Sequence, residues 1–527
     1  MFMTAPAACC EWMDDAMRAK WDRRFRSRAI RRLLAAAALA YSALCLTTGF
    51  APPAQALPSF ARQTGQPCGT CHTDFPALTP YGRRFKLLGY TAGGGQFRTT
   101  PFSSNDALSV RAEYDSLRGY AKAVAPQSQA DADSKEWVPP ISMMAVVGFT
   151  HTQADLPPPT DPYAPNNNTV MSPFSIFWGG AITSNIGAFA QVTYNAVPAG
   201  GFGDPFGHTW TWDNTDVRFA STAMVGPLDI VYGITANNNP TVQDLWNTTP
   251  AWGFPYAVST LAATPATKTV VEGALAAHVG GVGAYAMIND LLYLEVTGYK
   301  MLSFSQQNAL GTDPFGVGQL GGIAPYWRVA FEPHWGRNTW MIGTFGMYSE
   351  LHPWLNTAFG TWTTAVDPLS DKFTDIGFDT QYQYQGDDFW LTLRGSYIRE
   401  YQRLDSSFAS FAAANPTNLV NSMKLQASLA MGADNRVVLT GQYFKISGTS
   451  DANLYGTDPL SGLAMTPNSD GWQAEIAYIP FGASKMIGWP WFNARIGLQY
   501  TYYNKFNGTS VAAHDNNSLF LHAWFAM

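Results

Sequence analysis

Charge, cysteine and long apolar runs are all scarce in this chain. Only 13% of the 527 residues are charged, and no stretch after residue 56 supplies the run of about 18 apolar residues that a membrane-spanning helix needs. The second absence rules out a helix as the way across a lipid layer, yet the surface must be poor in charge. A β-barrel reconciles the two, because its apolar side is spread over alternate residues of every strand. What accompanies these absences, 14% aromatic residues with 47 Gly and 34 Pro, is a β-rich and turn-rich composition.

Near the start, Arg23, Arg24, Arg26, Arg28, Arg31 and Arg32 precede an apolar stretch from Leu33 to about Phe50, followed by Ala54-Gln55-Ala56. This reads as an export signal cleaved after Ala56, so that Leu57 becomes the first mature residue. The other reading, a single membrane anchor, fits less well because Pro52-Pro53 ends the apolar run ahead of a small-residue cleavage site. Met13 or Met17 is an alternative start, and Leu44 ahead of Cys45 is not the small residue that a lipoprotein signal requires. Loss of residues 1–56 removes eight of the 32 Lys+Arg and four of the 38 Asp+Glu, leaving 24 basic and 34 acidic residues and a formal charge of −10. No nucleic-acid partner is expected on that balance. Of the five cysteines, Cys9, Cys10 and Cys45 leave with the signal, and only Cys68 and Cys71 stay.

Those two stand in Cys68-Gly69-Thr70-Cys71-His72, the attachment spacing for c-type haem. Two residues between the thiols let one short turn reach both vinyl groups, and the adjacent imidazole ligates iron. Other readings fit less well. A structural zinc site needs four ligands, and the mature chain has no third cysteine. A thioredoxin-type pair wants a βαβ setting, which Gly65-Gln66-Pro67 and Phe75-Pro76 do not resemble. A plain disulfide across so short a loop stabilises little. The haem segment, Leu57 to about Phe97, is too small to bury a haem alone, so something else must cover it. It holds no methionine and no second histidine, so a sixth iron ligand comes from the barrel, from an unusual donor such as Lys86, or from nowhere.

From residue 140 onward, segments of about ten residues alternate between a polar and an apolar face. In 291–299, Tyr293, Glu295 and Thr297 oppose Leu292, Leu294 and Val296; in 389–400, Thr392, Arg394 and Ser396 oppose Phe389, Leu391, Leu393 and Tyr397. Asp375, Asp379, Gln381 and Gln383 share one parity and are expected inside. A lipid-facing exterior and a polar lumen fit this pattern better than a soluble sandwich. Seven short turns, near 185–187, 224–227, 289–290, 334–338, 386–388, 432–435 and 483–488, alternate with eight long connections, which predicts sixteen strands with both termini periplasmic. The segment 107–121 is left over and is placed in the lumen or at the periplasmic rim; the alternative is that one strand elsewhere has been split. The expected fold class is therefore all-β, an outer-membrane barrel of about sixteen antiparallel strands. Its expected divisions are a signal over 1–56, a monohaem segment over 57–105, a linker or lumen segment over 106–139 and the barrel over 140–527. In the first wall strand, 141–150, Met144 shares the inward parity with Ser142, Gly148 and Thr150, which makes it the candidate distal haem ligand, the alternative being that it only packs in the wall or lumen; His151 is the runner-up.

Leu57 to Gly65, the motif from Cys68 to His72, and Pro76-Ala77-Leu78-Thr79-Pro80-Tyr81-Gly82-Arg83-Arg84-Phe85-Lys86-Leu87-Leu88-Gly89-Tyr90 together resemble the N-terminus of the fused cytochrome-porin family. That resemblance is specific over 57–90, and beyond them it is one of architecture. It implies one covalent haem c in a porin-like barrel, with Cys68 and Cys71 as thioethers and His72 as proximal ligand. It further implies electrons taken from extracellular Fe(II) and passed to a periplasmic carrier such as a soluble cytochrome. The alternatives are a diffusion porin in which the haem segment is a plug or redox gate, and a haem peroxidase with an open iron position. Histidines such as His208, His278, His334, His352 and His514 show no metal-ligand spacing and read as loop or turn residues.

Overall fold

The computed structural model describes residues 57–64, 66–91, 140–156, 163–196, 207–356, 362–457, 462–482 and 489–527. The export signal 1–56, the expected linker 106–139 with its alternating segment 107–121, and the expected short turn 483–488 lie outside the described residues. Strand alternation does what composition suggested. In 292–301, Glu295 and Thr297 are buried, whereas Val296 is 63% exposed and Leu294 is exposed too. Along 493–505, Arg495, Gln499 and Thr501 face inward while Ile496, Leu498 and Tyr500 face out.

Sixteen wall strands result, all antiparallel. They are β1 (Ile141–Thr152), β2 (Asn168–Ala181), β3 (Ile186–Tyr194), β4 (Trp210–Val225), β5 (Leu228–Asn237), β6 (Val279–Ile288), β7 (Leu292–Met301) and β8 (Ala324–Phe331), followed by β9 (Asn338–His352), β10 (Asp371–Gln385), β11 (Phe389–Leu404), β12 (Thr417–Met431), β13 (Val437–Gly448), β14 (Ser469–Tyr478), β15 (Asn493–Lys505) and β16 (Ser518–Ala526). The wall closes where β16 pairs with β1, Phe520 opposite Thr150 and Trp524 opposite Val146. Closure leaves no free sheet edge. β8 is the irregular strand: Gln319–Leu320 and His334–Trp335 continue it as short pieces that also pair with β9. The breaks fall at Gly322, whose φ is +74°, and at Pro333, which has no N–H to give the ladder.

The exterior is banded. Val282, Phe378, Leu425 and Leu498 are exposed at mid-height, while Trp178, Trp335, Trp340 and Tyr478 stand toward the short-turn end and Trp210, Tyr348, Tyr401 and Trp472 toward the long-loop end. An apolar belt between aromatic girdles in a closed barrel is the architecture of an outer-membrane protein, and its short turns and both ends of the wall belong on the periplasmic side.

Two segments occupy the lumen. One is residues 57–91, with α1 (Pro58–Thr64), α2 (Cys68–Cys71) and α3 (Pro80–Leu87), plus a two-strand ribbon pairing His72–Asp74 with Ala77–Leu78. The other is the connection between β5 and β6, whose Val242, Leu245, Trp246 and Thr249 are wholly buried. It is fastened to the wall opposite, the Val271 amide donating to Asp375 at 2.9 Å and Lys424 pairing with Glu272 at 2.8 Å.

Candidate functional site

Pro67 precedes the single turn α2, which places Cys68 and Cys71 on one side, and His72 leaves that turn in extended conformation. Both cysteines are half-buried, and Asn493 Nδ2 donates to Cys68 Sγ at 3.8 Å. α3 starts with Pro80 in its first turn, and the Thr79 hydroxyl accepts from the Gly82 amide at 3.1 Å. α3 lies so close to α2 that a Cβ at Gly82 would stand 2.2 Å from the Cys71 carbonyl oxygen. Only glycine permits that approach, which sets the Cys68–Cys71 turn directly against α3.

His72 Nδ1 lies 3.2 Å from the Pro76 carbonyl, so Nε2 is the ring nitrogen left for a metal. Burial pulls the imidazole pKa down to about 4, which keeps the ring in the neutral form that ligates iron at ordinary pH. Cys68, Cys71 and His72 open onto one cavity of about 320 Å³, within the range of cofactor pockets. Its walls are largely apolar: Phe60 and Phe85 from the N-terminal segment, Phe177, Phe189 and Trp524 from the barrel, and Trp252 and Pro255 from the inward loop. The small N-terminal segment is thus covered by the barrel and its loop. A planar apolar group tethered at both thiols fits this donor set.

Met144 also lines this cavity and is half-buried, on the short-turn half of β1. His151 is exposed and bonds Asn167 at 2.8 Å, away from the cavity. Lys86 lines the cavity but its Nζ donates to the carbonyls of Val242 and Asp244, each at 2.7 Å, and lies over the Trp252 ring. Burial, with the Arg218 guanidinium second, lowers the Lys86 pKa to about 7. The sequence did not flag Gln191, Asn214 or Tyr256 as cavity residues. Inward parity alone marked the first, and nothing in a Pro/Asn/Thr-rich connection announced that Tyr256 turns inward.

Charge pairs and hydrogen bonds lock this N-terminal segment to the wall. Arg83 meets Glu332 at 2.5 Å and Gln383 at 2.6 Å, Arg84 pairs with Asp290, and Tyr90 donates to Asp216 at 2.7 Å. Arg495 on β15 donates to Asp74 at 3.3 Å and to the Phe75 carbonyl at 2.9 Å, on either side of the turn that follows His72. Asp379 faces inward as expected and pairs with Arg328 at 2.6 Å.

No protein-family model matches the chain, and no curated protein matches it. Among solved structures it is similar to OprB of Pseudomonas putida, with 11% identity over 73% of this chain and 92% of that one at a TM-score of 0.42. It is also similar to OmpF of Salmonella typhi in complex with daunomycin, with 11% identity, 73% and 97% coverage and a TM-score of 0.39. A third is the outer-membrane channel DcaP of Acinetobacter baumannii, with 10% identity, 73% and 96% coverage and a TM-score of 0.39. At these values the likenesses carry no argument beyond the architecture already described.

Proposed function

We propose that this outer-membrane, porin-like barrel is an electron conduit, taking electrons from an extracellular donor, Fe(II), and delivering them to a periplasmic carrier such as a soluble cytochrome. One observation carries the reading: Cys68, Cys71 and His72 line a single cavity inside the lumen, with His72 Nδ1 held by the Pro76 carbonyl. Cys68 and Cys71 would hold one haem c by thioethers and His72 would ligate its iron. The haem would supply a one-electron couple in a wall that otherwise insulates. Met144 is the sixth ligand in this proposal, because of the two wall methionines that line the cavity, Met143 and Met144, it has the inward parity and is half-buried, whereas Met143 is 39% exposed. The donor's identity rests on the resemblance of residues 57–90 to the cytochrome-porins.

The cavity is lined from the short-turn half of the barrel, by Met144, Phe189 and Trp524 among others, which suits a hand-off to a periplasmic partner. A freely diffusing pore fits less well, because the haem segment is held by buried ion pairs and the inward loop shares the lumen. Anaerobic mixing of purified haem-loaded protein with Fe(II) tests the proposal. The reduced α-band should grow in. A haem that dithionite reduces but Fe(II) does not would refute Fe(II) as donor.

A further inference from the structure

Three residues on adjacent strands bring more buried donor groups together than the protein supplies acceptors for. Gln381, Arg394 and Gln426 stand directly opposite one another on β10, β11 and β12, all facing the lumen. They are 1%, 6% and 8% exposed. Arg394 Nε donates to Gln381 Oε1 at 2.7 Å and to the Trp246 carbonyl at 3.3 Å, and Nη1 donates to the Tyr256 hydroxyl at 2.9 Å. Arg394 Nη2 and Gln381 Nε2 are buried without a hydrogen-bond partner among the described residues, and Gln426 Nε2 has only the Tyr256 hydroxyl to turn to, an oxygen that already takes a hydrogen from Arg394 Nη1. The Gln381 orientation is not arbitrary: turning its amide over would set NH2 against a guanidinium.

Arg394 forms no ion pair among the described residues, unlike its lumenal neighbours. Asp379 and Asp244 already serve Arg328, and Asp74 and Glu475 serve Arg495. A buried guanidinium whose partners are all neutral is expensive, and each orphaned donor adds to the cost. Within this trio the surplus is of donors, although Asp379 Oδ1, two residues along β10 from Gln381, is a buried acceptor without a partner among the described residues. Converging donors around a guanidinium are the protein's half of an anion site. A planar guanidinium with amide donors on both flanks suits a carboxylate, which can accept several hydrogen bonds at once.

We infer that Arg394, Gln381 and Gln426, with Tyr256, form a carboxylate-binding site in the lumen. Tyr256 places it: the ring lines the cavity shared by Cys68, Cys71 and His72, and its hydroxyl is held by Arg394. The carboxylate comes from one of two sources, a propionate of the haem, which rests on the proposed function, or a free small carboxylate in the lumen, which does not.

The test uses the full mature chain in detergent, with haem content fixed first by the pyridine haemochrome. In haem-loaded protein, the propionate bending band in resonance Raman spectra is compared between wild type and the Gln381→Leu, Gln426→Leu and Arg394→Lys variants. The two glutamine variants change no charge, so the assay survives if an arginine variant does not fold. In parallel, acetate is titrated calorimetrically into haem-loaded protein and into the haem-free Cys68→Ala, Cys71→Ala protein. A propionate occupant shifts the band in the variants and leaves acetate able to bind only the haem-free protein. A free carboxylate leaves the band alone and lets acetate bind both, about tenfold or more weakly after Gln426→Leu. No band shift together with no saturable acetate binding in either form overturns the site. Absence of haem from the purified protein would refute the haem reading while the acetate titration still decides this one.

Discussion

A methyl group at Gly82 would collide with the Cys71 carbonyl, so α2 and α3 cannot keep their spacing if that residue grows. Gly82→Ala should cost about 1–3 kcal/mol in the haem segment and lower the covalent haem yield while the barrel still forms. Normal haem staining in that variant would show that the close approach is dispensable. At the thiols the expectation is all-or-none: Cys68→Ala, Cys71→Ala protein should lose all haem that resists acid-acetone extraction, and retained staining would contradict thioether attachment. Met144→Ala should alter the ferric spectrum and the midpoint potential; if both stay put, the sulfur is only packing. Lys86 adds a pH effect. Its pKa is about 7 in the folded protein, below that of an ordinary lysine, so the unfolded chain binds more protons above pH 7. Stability should therefore rise from pH 7 to pH 9, and Lys86→Met should flatten that rise in thermal melts.

At the scale of elements, the connection between β5 and β6 decides whether the lumen is open. Its Asp244 is held by Arg328, which also meets Asp379, all three fully buried or nearly so. Arg328→Met would leave two buried carboxylates without their cation, a loss of about 3–5 kcal/mol. Protease added to intact cells should then cut within 238–278, where the wild type resists; equal resistance would mean that other bonds hold the loop. The strands themselves were legible in advance. Parity placed Glu295, Arg394 and Asp379 inside correctly, and the alternation of short and long connections counted sixteen strands, because a closed barrel ties loop length to side. The inward path of 238–278 was not legible, since Asn, Thr and Pro describe a water-facing loop equally well. Nor was the interrupted β8, whose breaks at Gly322 and Pro333 act locally on a strand that pairs normally on either side. Cys68, Cys71 and His72 could be read from spacing alone. Tyr256 could not, because only folding brings it to them.

For the whole molecule, closure has a consequence that any preparation can reveal. A wall whose every edge is paired resists detergent until heated, so the unboiled protein should migrate faster than the boiled one and fractionate with the outer membrane. Recovery as a soluble periplasmic protein would end the barrel assignment. Conduction across that wall is the central claim, and a sealed vesicle tests it most directly. The haem-loaded protein is inserted into liposomes that enclose a ferric soluble cytochrome, and Fe(II) is added outside without oxygen. The account predicts that the enclosed cytochrome becomes reduced with wild-type protein and stays oxidised with the Cys68→Ala, Cys71→Ala variant; equal reduction with both, or none with either, would contradict it.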